Sequence, residues 1–105
     1  MNWDQQSTYP FNRTSVLHIT PEVSGVYGLL NGNGWIYIGE CPNLQRALLE
    51  CLSGQRPCIL QFQPTVFVFE LCPAKNRKPR QKELVQIYRP ACNRNPSRRG
   101  QSAGQ

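Results

Sequence analysis

Two stretches rich in aromatic and β-branched residues, residues 25–30 and 35–39, flank the four residues 31–34, whose sequence is Asn-Gly-Asn-Gly. This arrangement constrains the fold more than any other feature of the chain. Asn and Gly readily adopt the backbone conformations of a tight hairpin turn, while aromatic and β-branched residues favour strands. The sequence therefore predicts an antiparallel β-hairpin.

An amphipathic helix is predicted directly after the hairpin. Its apolar residues recur at the spacing i, i+3, i+4, i+7 and i+8, which places them on one helical face: Leu44, Ala47, Leu48, Cys51 and Leu52. Asn43 precedes the first of them and is a suitable N-cap. The helix is expected to end near Ser53 and Gly54.

A strand and a second helix complete the predicted elements. Residues 65–71 are apolar at nearly every position, as expected for a central strand that is covered on both faces. The second helix is expected to begin near Pro79, to include Leu84, Ile87 and Tyr88, and to stop before Pro90. The order of elements predicts an α+β domain with a small, mainly antiparallel three-stranded sheet and flanking helices.

The length of 105 residues fits one small domain. We expect residues 1–15 to be loosely ordered and residues 16–93 to form the folded domain. Residues 94–105 contain no apolar side chain larger than Ala103 and are expected to form a disordered basic tail.

The charge of the chain is concentrated near one end. Residues 1–74 contain three arginines against five acidic residues, whereas residues 75–105 contain nine basic residues against Glu83 alone. The second part thus carries a net charge of +8 within a total of +6. Such a basic end indicates a polyanionic partner, most simply nucleic acid, although a solvated surface with a basic tail is the alternative.

Several classes of protein are disfavoured by what the sequence offers. It contains neither an apolar run long enough to cross a membrane nor an export signal, so we expect a cytoplasmic protein with no membrane partner. The five cysteines form no C-x-x-C pair, and we expect reduced thiols that act as small core residues. With His18 as the single histidine and no phosphate-binding glycine loop, conventional hydrolase and nucleotide-binding sites are disfavoured.

Two tripeptides in the hairpin suggest a family. Residues 25–27 read Gly-Val-Tyr and, after nine intervening residues, residues 37–39 read Tyr-Ile-Gly. Together with the amphipathic helix that follows, and with Glu83, Pro90 and Asn93 in order downstream, the chain resembles the GIY-YIG nuclease family over residues 23–93.

The resemblance implies an endonuclease that hydrolyses DNA phosphodiester bonds with one divalent cation. Glu83 would hold Mg²⁺, which needs few protein ligands because it retains several waters. Tyr27 or Tyr37 would accept a proton from the attacking water, while the other orients water or phosphate. Without the resemblance, Glu83 would be interpreted as a surface residue paired with Arg80 three residues earlier.

The two tyrosines share one face of the hairpin only under a condition on its turn. Faces alternate along each strand, so a turn with an even number of residues would place Tyr27 and Tyr37 on opposite faces. A three-residue turn, or a β-bulge that restores the parity, would place them on the same face. Otherwise they would be ordinary core or edge aromatics.

Three positions depart from the family pattern. The family's catalytic arginine would correspond to Ala47, and the adjacent Arg46 is rotated about 100° away, toward the side of the site or solvent. Cys51 replaces a frequent His or Tyr, and Glu40 replaces a frequent Lys. An alternative is therefore a catalytically degenerate module that binds nucleic acid or another protein.

A basic cluster surrounds the start of the second predicted helix, where the helix dipole makes cations mildly destabilising. Contact with phosphate supplies a reason for these charges. The candidate nucleic-acid-binding residues are Lys75, Arg77, Lys78, Arg80, Lys82 and Asn93, and Arg46 remains a candidate catalytic residue beside Tyr27, Tyr37 and Glu83.

Overall fold

A computed structural model describes Trp3 and residues 7–93. The predicted basic tail, residues 94–105, lies outside the described residues. The elements follow one another in the order β1 (Tyr9–Pro10), α1 (Arg13–Ile19), β2 (Gly25–Asn31), β3 (Gly34–Cys41), α2 (Leu44–Leu52), α3 (Pro57–Phe62), β4 (Val66–Leu71), α4 (Ala74–Tyr88) and a short 3₁₀ helix, η1 (Ala91–Asn93).

The strands form one antiparallel sheet in the order β1-β4-β2-β3. The predicted hairpin is confirmed as β2 and β3, and β4 is an inner strand as predicted. The two-residue β1, which pairs with β4, adds a fourth strand to the three expected. The α+β class with an antiparallel sheet is confirmed.

Two hydrophobic clusters cover the two faces of the sheet. We call the first face the tyrosine face, because Tyr27 lies there with Leu29 against helices α1 to α3, through residues such as Leu48. We call the second the α4 face, because Val26 and Ile38 pack there against α4. In the described part of the chain, α1, α2 and α3 thus cover the tyrosine face, and α4 covers the other.

Helix α2 matches its sequence prediction. Its apolar stripe is buried at Leu44, Leu48 and Cys51. The Asn43 side chain accepts a hydrogen bond from the backbone N–H of Arg46 at 3.0 Å, which confirms Asn43 as the N-cap.

Helix α4 begins five residues earlier than predicted, at Ala74, so Pro79 lies inside it. Proline favours a helix start because it lacks an N–H, but here the first turns are held by tertiary ion pairs instead. Arg77 pairs with Glu40 on β3, and Arg80 pairs with Glu70 on β4. These contacts with the sheet override the local signal of the proline.

The first 15 residues, which we expected to be loosely ordered, contain β1, the start of α1 and a buried Trp3. The Trp3 indole stacks on Trp35 at 5.8 Å between ring centroids and donates a hydrogen bond to Glu70 at 2.9 Å. The polar average composition of this segment conceals the anchoring role of Trp3.

The expectation of reduced thiols is wrong for two of the five cysteines. Cys58 on α3 and Cys92 on η1 form a disulfide across 34 residues of sequence, with a Cα–Cα distance of 5.9 Å. No local pattern marks this pair, because only the folded chain brings α3 beside η1. Cys41, Cys51 and Cys72 are free and buried, as predicted for core thiols.

Within Trp3 and residues 7–93, no helix combines the length and apolar character that crossing a bilayer demands.

Acidification is expected to weaken the fold through Glu70. Burial raises the pKa of Glu70, but hydrogen bonds from Arg80 and Trp3 outweigh burial and lower it overall. A carboxyl whose pKa is lower in the folded state contributes stability above its unfolded pKa and loses it as pH falls through the folded pKa. Urea unfolding from about pH 6 to about pH 3 should therefore show a steeper loss for wild type than for Glu70→Gln. Parallel pH curves for the two proteins would contradict this assignment.

Candidate functional site

A β-bulge places the two motif tyrosines on the same face of the sheet. The hairpin pairs Leu30 with Trp35 but Leu29 with Tyr37, so Ile36 is the extra residue. The turn itself has two residues, which alone would place Tyr27 and Tyr37 on opposite faces. The extra residue of the bulge shifts the register by one and brings both tyrosines to the same face. The Tyr27 and Tyr37 ring centroids lie 6.0 Å apart.

Gly39 makes room for this pair of rings. A Cβ atom at position 39 would lie 2.6 Å from Cζ and the hydroxyl oxygen of Tyr27, and 2.8 Å from Cε2 of Tyr37. The glycine of the second tripeptide therefore has a steric role at the site.

Tyr27 is buried beside Cys51. Its side chain is only 3% exposed, and its hydroxyl lies 3.8 Å from the Sγ atom of Cys51. Burial, followed by the nearby Cys51, raises the pKa of Tyr27 well above its ordinary value. Both effects favour the protonated form of the phenol.

Tyr37 is the more accessible of the two tyrosines and is bound by an arginine. Arg56 donates a hydrogen bond of 3.1 Å from its guanidinium to the Tyr37 hydroxyl. The guanidinium carbon also lies 5.1 Å from the centroid of the Tyr37 ring, within the range of a cation–π contact. Both residues line a cavity of about 190 Å³, together with Gln55, Pro57, Cys58, Ile59 and Cys92.

The outer edge of β3 is closed by side-chain amides. Asn93 accepts a hydrogen bond from the backbone N–H of Ile38 at 2.8 Å and donates to its carbonyl at 2.9 Å. Gln81 on α4 donates to the same carbonyl at 2.9 Å. Asn93, which we predicted as a nucleic-acid contact, thus pairs with the backbone at a sheet edge.

Arg46 does not lie with the tyrosines. Its side chain is 78% exposed, and it forms an ion pair of 3.7 Å with Glu50 one turn later on α2. Ala47, by contrast, packs against the core of the tyrosine face. The predicted rotation of Arg46 toward solvent is confirmed, and the structure does not place it at the tyrosine pair.

Glu83 is also separated from the tyrosines, because it lies on α4 across the sheet. Its carboxylate accepts a hydrogen bond from Arg80 at 2.9 Å, and this contact lowers the pKa of Glu83. Arg80 in turn binds Glu70 on β4 at 2.7 Å. Gln81, two residues before Glu83 and about 200° around the helix, is the α4 side chain that reaches β3.

The basic cluster divides into paired arginines and exposed lysines. Arg77 lies 2.9 Å from a carboxylate oxygen of Glu40, although the two atoms are not aligned as a hydrogen bond, and donates to Ser24 at 3.2 Å. Arg80 is occupied by Glu70 and Glu83. The lysines of the cluster, Lys75, Lys78 and Lys82, are exposed.

The side chains near the tyrosine pair do not fit a divalent cation. Mg²⁺ prefers carboxylate oxygens, whereas among the described residues the polar groups in contact with the tyrosine hydroxyls are the Cys51 thiol and the Arg56 guanidinium. Four glutamates each form an ion pair with an arginine: Glu40, Glu50, Glu70 and Glu83. In the described part of the chain, no group of three or more His, Cys, Asp or Glu could hold a metal ion.

The sequence analysis did not identify two residues that contact this part of the structure, Arg56 and Gln81. Arg56 directly precedes Pro57, the first residue of α3, and proline at the first helical position is a recognised signal for a helix. Gln81 is three residues before the buried Leu84 and therefore lies toward the sheet. Neither signal by itself indicates contact with β3 or Tyr37.

The fold is similar to that of the GIY-YIG N-terminal endonuclease domain of UvrC from Thermotoga maritima. A point mutant of that domain, bound to its catalytic divalent cation, matches with a TM-score of 0.69 and 24% identity over 79% of this chain and 94% of the other. The same domain bound to magnesium matches with a TM-score of 0.66 and 24% identity over 75% and 91%. No protein-family model and no curated protein sequence matches the chain. The chain thus has the GIY-YIG fold.

Proposed function

We propose that this chain binds the phosphate backbone of nucleic acid, with duplex DNA as the first substrate to test, and does not cleave it. The observation that carries the proposal is the placement of Glu83. This carboxylate, predicted to hold the metal, lies across the sheet from the tyrosines and is bound by Arg80. The tyrosine pair is accompanied by Arg56 instead, a group that attracts phosphate and repels a cation.

The exposed charge supports nucleic acid as the partner. Lys75, Lys78 and Lys82 follow the spacing i, i+3 and i+7, which places them along one stripe of α4. Glu40, Glu70 and Glu83 form ion pairs with Arg77 and Arg80, which leaves one negative charge over, so the three lysines still give this surface a net positive charge. Backbone phosphates are the simplest repeated partner for such a stripe.

Changing Lys78→Gln and Lys82→Gln together is expected to weaken binding to labelled duplex DNA in EDTA. Each phosphate contact contributes roughly −0.9 to the slope of log K against log salt, so the slope should flatten by roughly 2. Fluorescence anisotropy over a salt series measures both quantities. The matched control is Arg13→Gln with Arg46→Gln, which removes two exposed charges outside the lysine stripe and should leave the slope nearly unchanged.

The outcomes of this titration separate binding from other roles. Wild-type protein that fails to bind duplex or single-stranded DNA and RNA at low salt would remove the proposal and favour a protein-interaction module. Equal slopes for the lysine and control variants would show that α4 is not the binding surface.

A metal-dependent DNA endonuclease is the second candidate, favoured by the fold shared with a domain that binds magnesium. Highly purified wild-type protein is expected to leave supercoiled plasmid intact with Mg²⁺ or Mn²⁺. If it nicks the plasmid and Glu83→Gln abolishes nicking, Glu83 serves the metal and the endonuclease becomes the function. Because Glu83 is exposed, this variant should fold normally.

A further inference from the structure

Arg56 differs from the arginines that the structure pairs with glutamates. Arg46, Arg77 and Arg80 each form an ion pair with a carboxylate. Arg56 is exposed, and the polar contact that the structure gives its guanidinium is with the Tyr37 hydroxyl. Among the described residues, its positive charge is therefore held in place by Tyr37 and not by a carboxylate.

The contact with Tyr37 leaves hydrogen-bond donors available. A guanidinium carries five N–H donors in a planar fork, and the hydrogen bond to Tyr37 uses one of its terminal nitrogens. Since the Tyr37 oxygen acts as the acceptor, its own proton remains free for another acceptor. Two donor groups of different chemistry thus adjoin one cavity, and both suit a phosphate oxygen.

The described residues that line the cavity around Arg56 include no carboxylate. The side chains that line the cavity with Arg56 are uncharged, including Tyr37, Pro57 and Ile59. Burial raises the pKa of the nearby Tyr27 hydroxyl and of the Cys51 thiol, so both stay neutral at physiological pH. Among the described lining residues, an anion that enters the cavity would therefore meet the Arg56 cation and no carboxylate.

The segment that carries Arg56 is held from two sides. Cys58, two residues later, is joined by the disulfide to Cys92 beside Asn93, whose side chain is bonded to β3. Ile59 is buried in the core of the tyrosine face. A binding group that is ordered before its ligand arrives loses less conformational entropy on binding.

We infer that Arg56 and Tyr37 together bind one phosphodiester group of a nucleic acid strand at the cavity between α3 and η1. The inference rests on the proposed function and adds a particular phosphate site to it. Arg56 then supplies, from the residue before α3, a positive charge beside Tyr37 that α2 does not place there, because position 47 is alanine and Arg46 points to solvent. The site is distinct from the lysine stripe on α4, which lies across the sheet.

Affinity for a labelled duplex of about 20 base pairs, measured over a salt series in EDTA, tests the inference. Arg56→Gln should bind at least about tenfold more weakly, and its salt slope should be smaller by roughly 1. Arg56→Lys should keep the slope but bind more weakly, because an ammonium lacks the planar fork. Tyr37→Phe should keep the slope and bind about threefold more weakly, since the ring remains and the hydroxyl is lost.

Arg46→Gln is the matched control, because it removes an exposed arginine of neighbouring α2 and should change affinity less than about twofold. If Arg56→Gln behaves like Arg46→Gln while the α4 lysine variant still loses affinity, the phosphate site is overturned and the proposed function stands. If wild type does not bind nucleic acid, the proposed function fails first. Should Arg56→Gln fold poorly, Arg56→Lys and Tyr37→Phe decide the question, and full wild-type affinity in both would overturn it.

Discussion

Replacing Gly25 by Ala is expected to lower the free energy of unfolding by roughly 3 kcal/mol, at the upper end of the usual cost of overpacking a core. A Cβ atom at position 25 would lie 2.5 Å from the backbone carbonyl oxygen of Glu70 and 2.6 Å from Cδ1 of Leu44. The carbonyl belongs to β4, whose position is fixed by pairing with β2. Relief therefore requires a shift of the sheet itself.

The other motif glycine and a turn glycine provide a graded comparison. For Gly39→Ala the three nearest atoms belong to the side chains of Tyr27 and Tyr37, whose ring ends can shift more readily than a strand backbone, so about 1–2 kcal/mol is expected. Gly32→Ala meets nothing within 4 Å and should change stability little. Urea unfolding of the three variants should give the order Gly25, Gly39, Gly32 from the largest loss to the smallest. Equal stability of the Gly25 and Gly32 variants would show that the first tripeptide needs no close approach of strands.

The elements that the sequence predicts well are those whose signals are local. The hairpin follows from its turn residues and strand formers, and α2 from its apolar stripe and the Asn43 cap. By contrast, α1 and α3 are short helices that each bury one residue, Val16 and Ile59, against the sheet. Their stability depends on tertiary packing, which a short window of sequence does not contain.

The candidate site was predictable in part. The motif spacing identifies Tyr27 and Tyr37 and states the condition under which they share a face, but the bulge at Ile36 that meets the condition has no clear local signal. The order of motif residues along the chain identifies Glu83 as the candidate metal ligand. The rotation of α4 about its own axis, however, turns Gln81 toward β3. An order along the chain does not determine a direction around a helix.

Arg56 also shows that position along the chain does not determine which residues meet in the fold. It is separated from Tyr37 by the whole of α2, and the two meet because α3 returns to the tyrosine face. Position 47 corresponds to the arginine of the family pattern, and the arginine nearest to it in the sequence is Arg46, which is exposed. The arginine that contacts Tyr37 is instead Arg56.

Loss of the Cys58–Cys92 disulfide is expected to lower the free energy of unfolding by about 3–4 kcal/mol, because the bond closes a long loop in the unfolded chain. The 34-residue separation spans β4 and α4, so the unfolded chain gains considerable freedom when the bond is absent. Cys58→Ser and wild type in reductant should unfold at the same, lower urea concentration, and reductant should not destabilise the variant further. The variant should also bind DNA more weakly at equal folded fraction, since α3 and its Arg56 are released from η1. A wild-type protein whose unfolding is indifferent to reductant would contradict the bond and restore the expectation of free thiols.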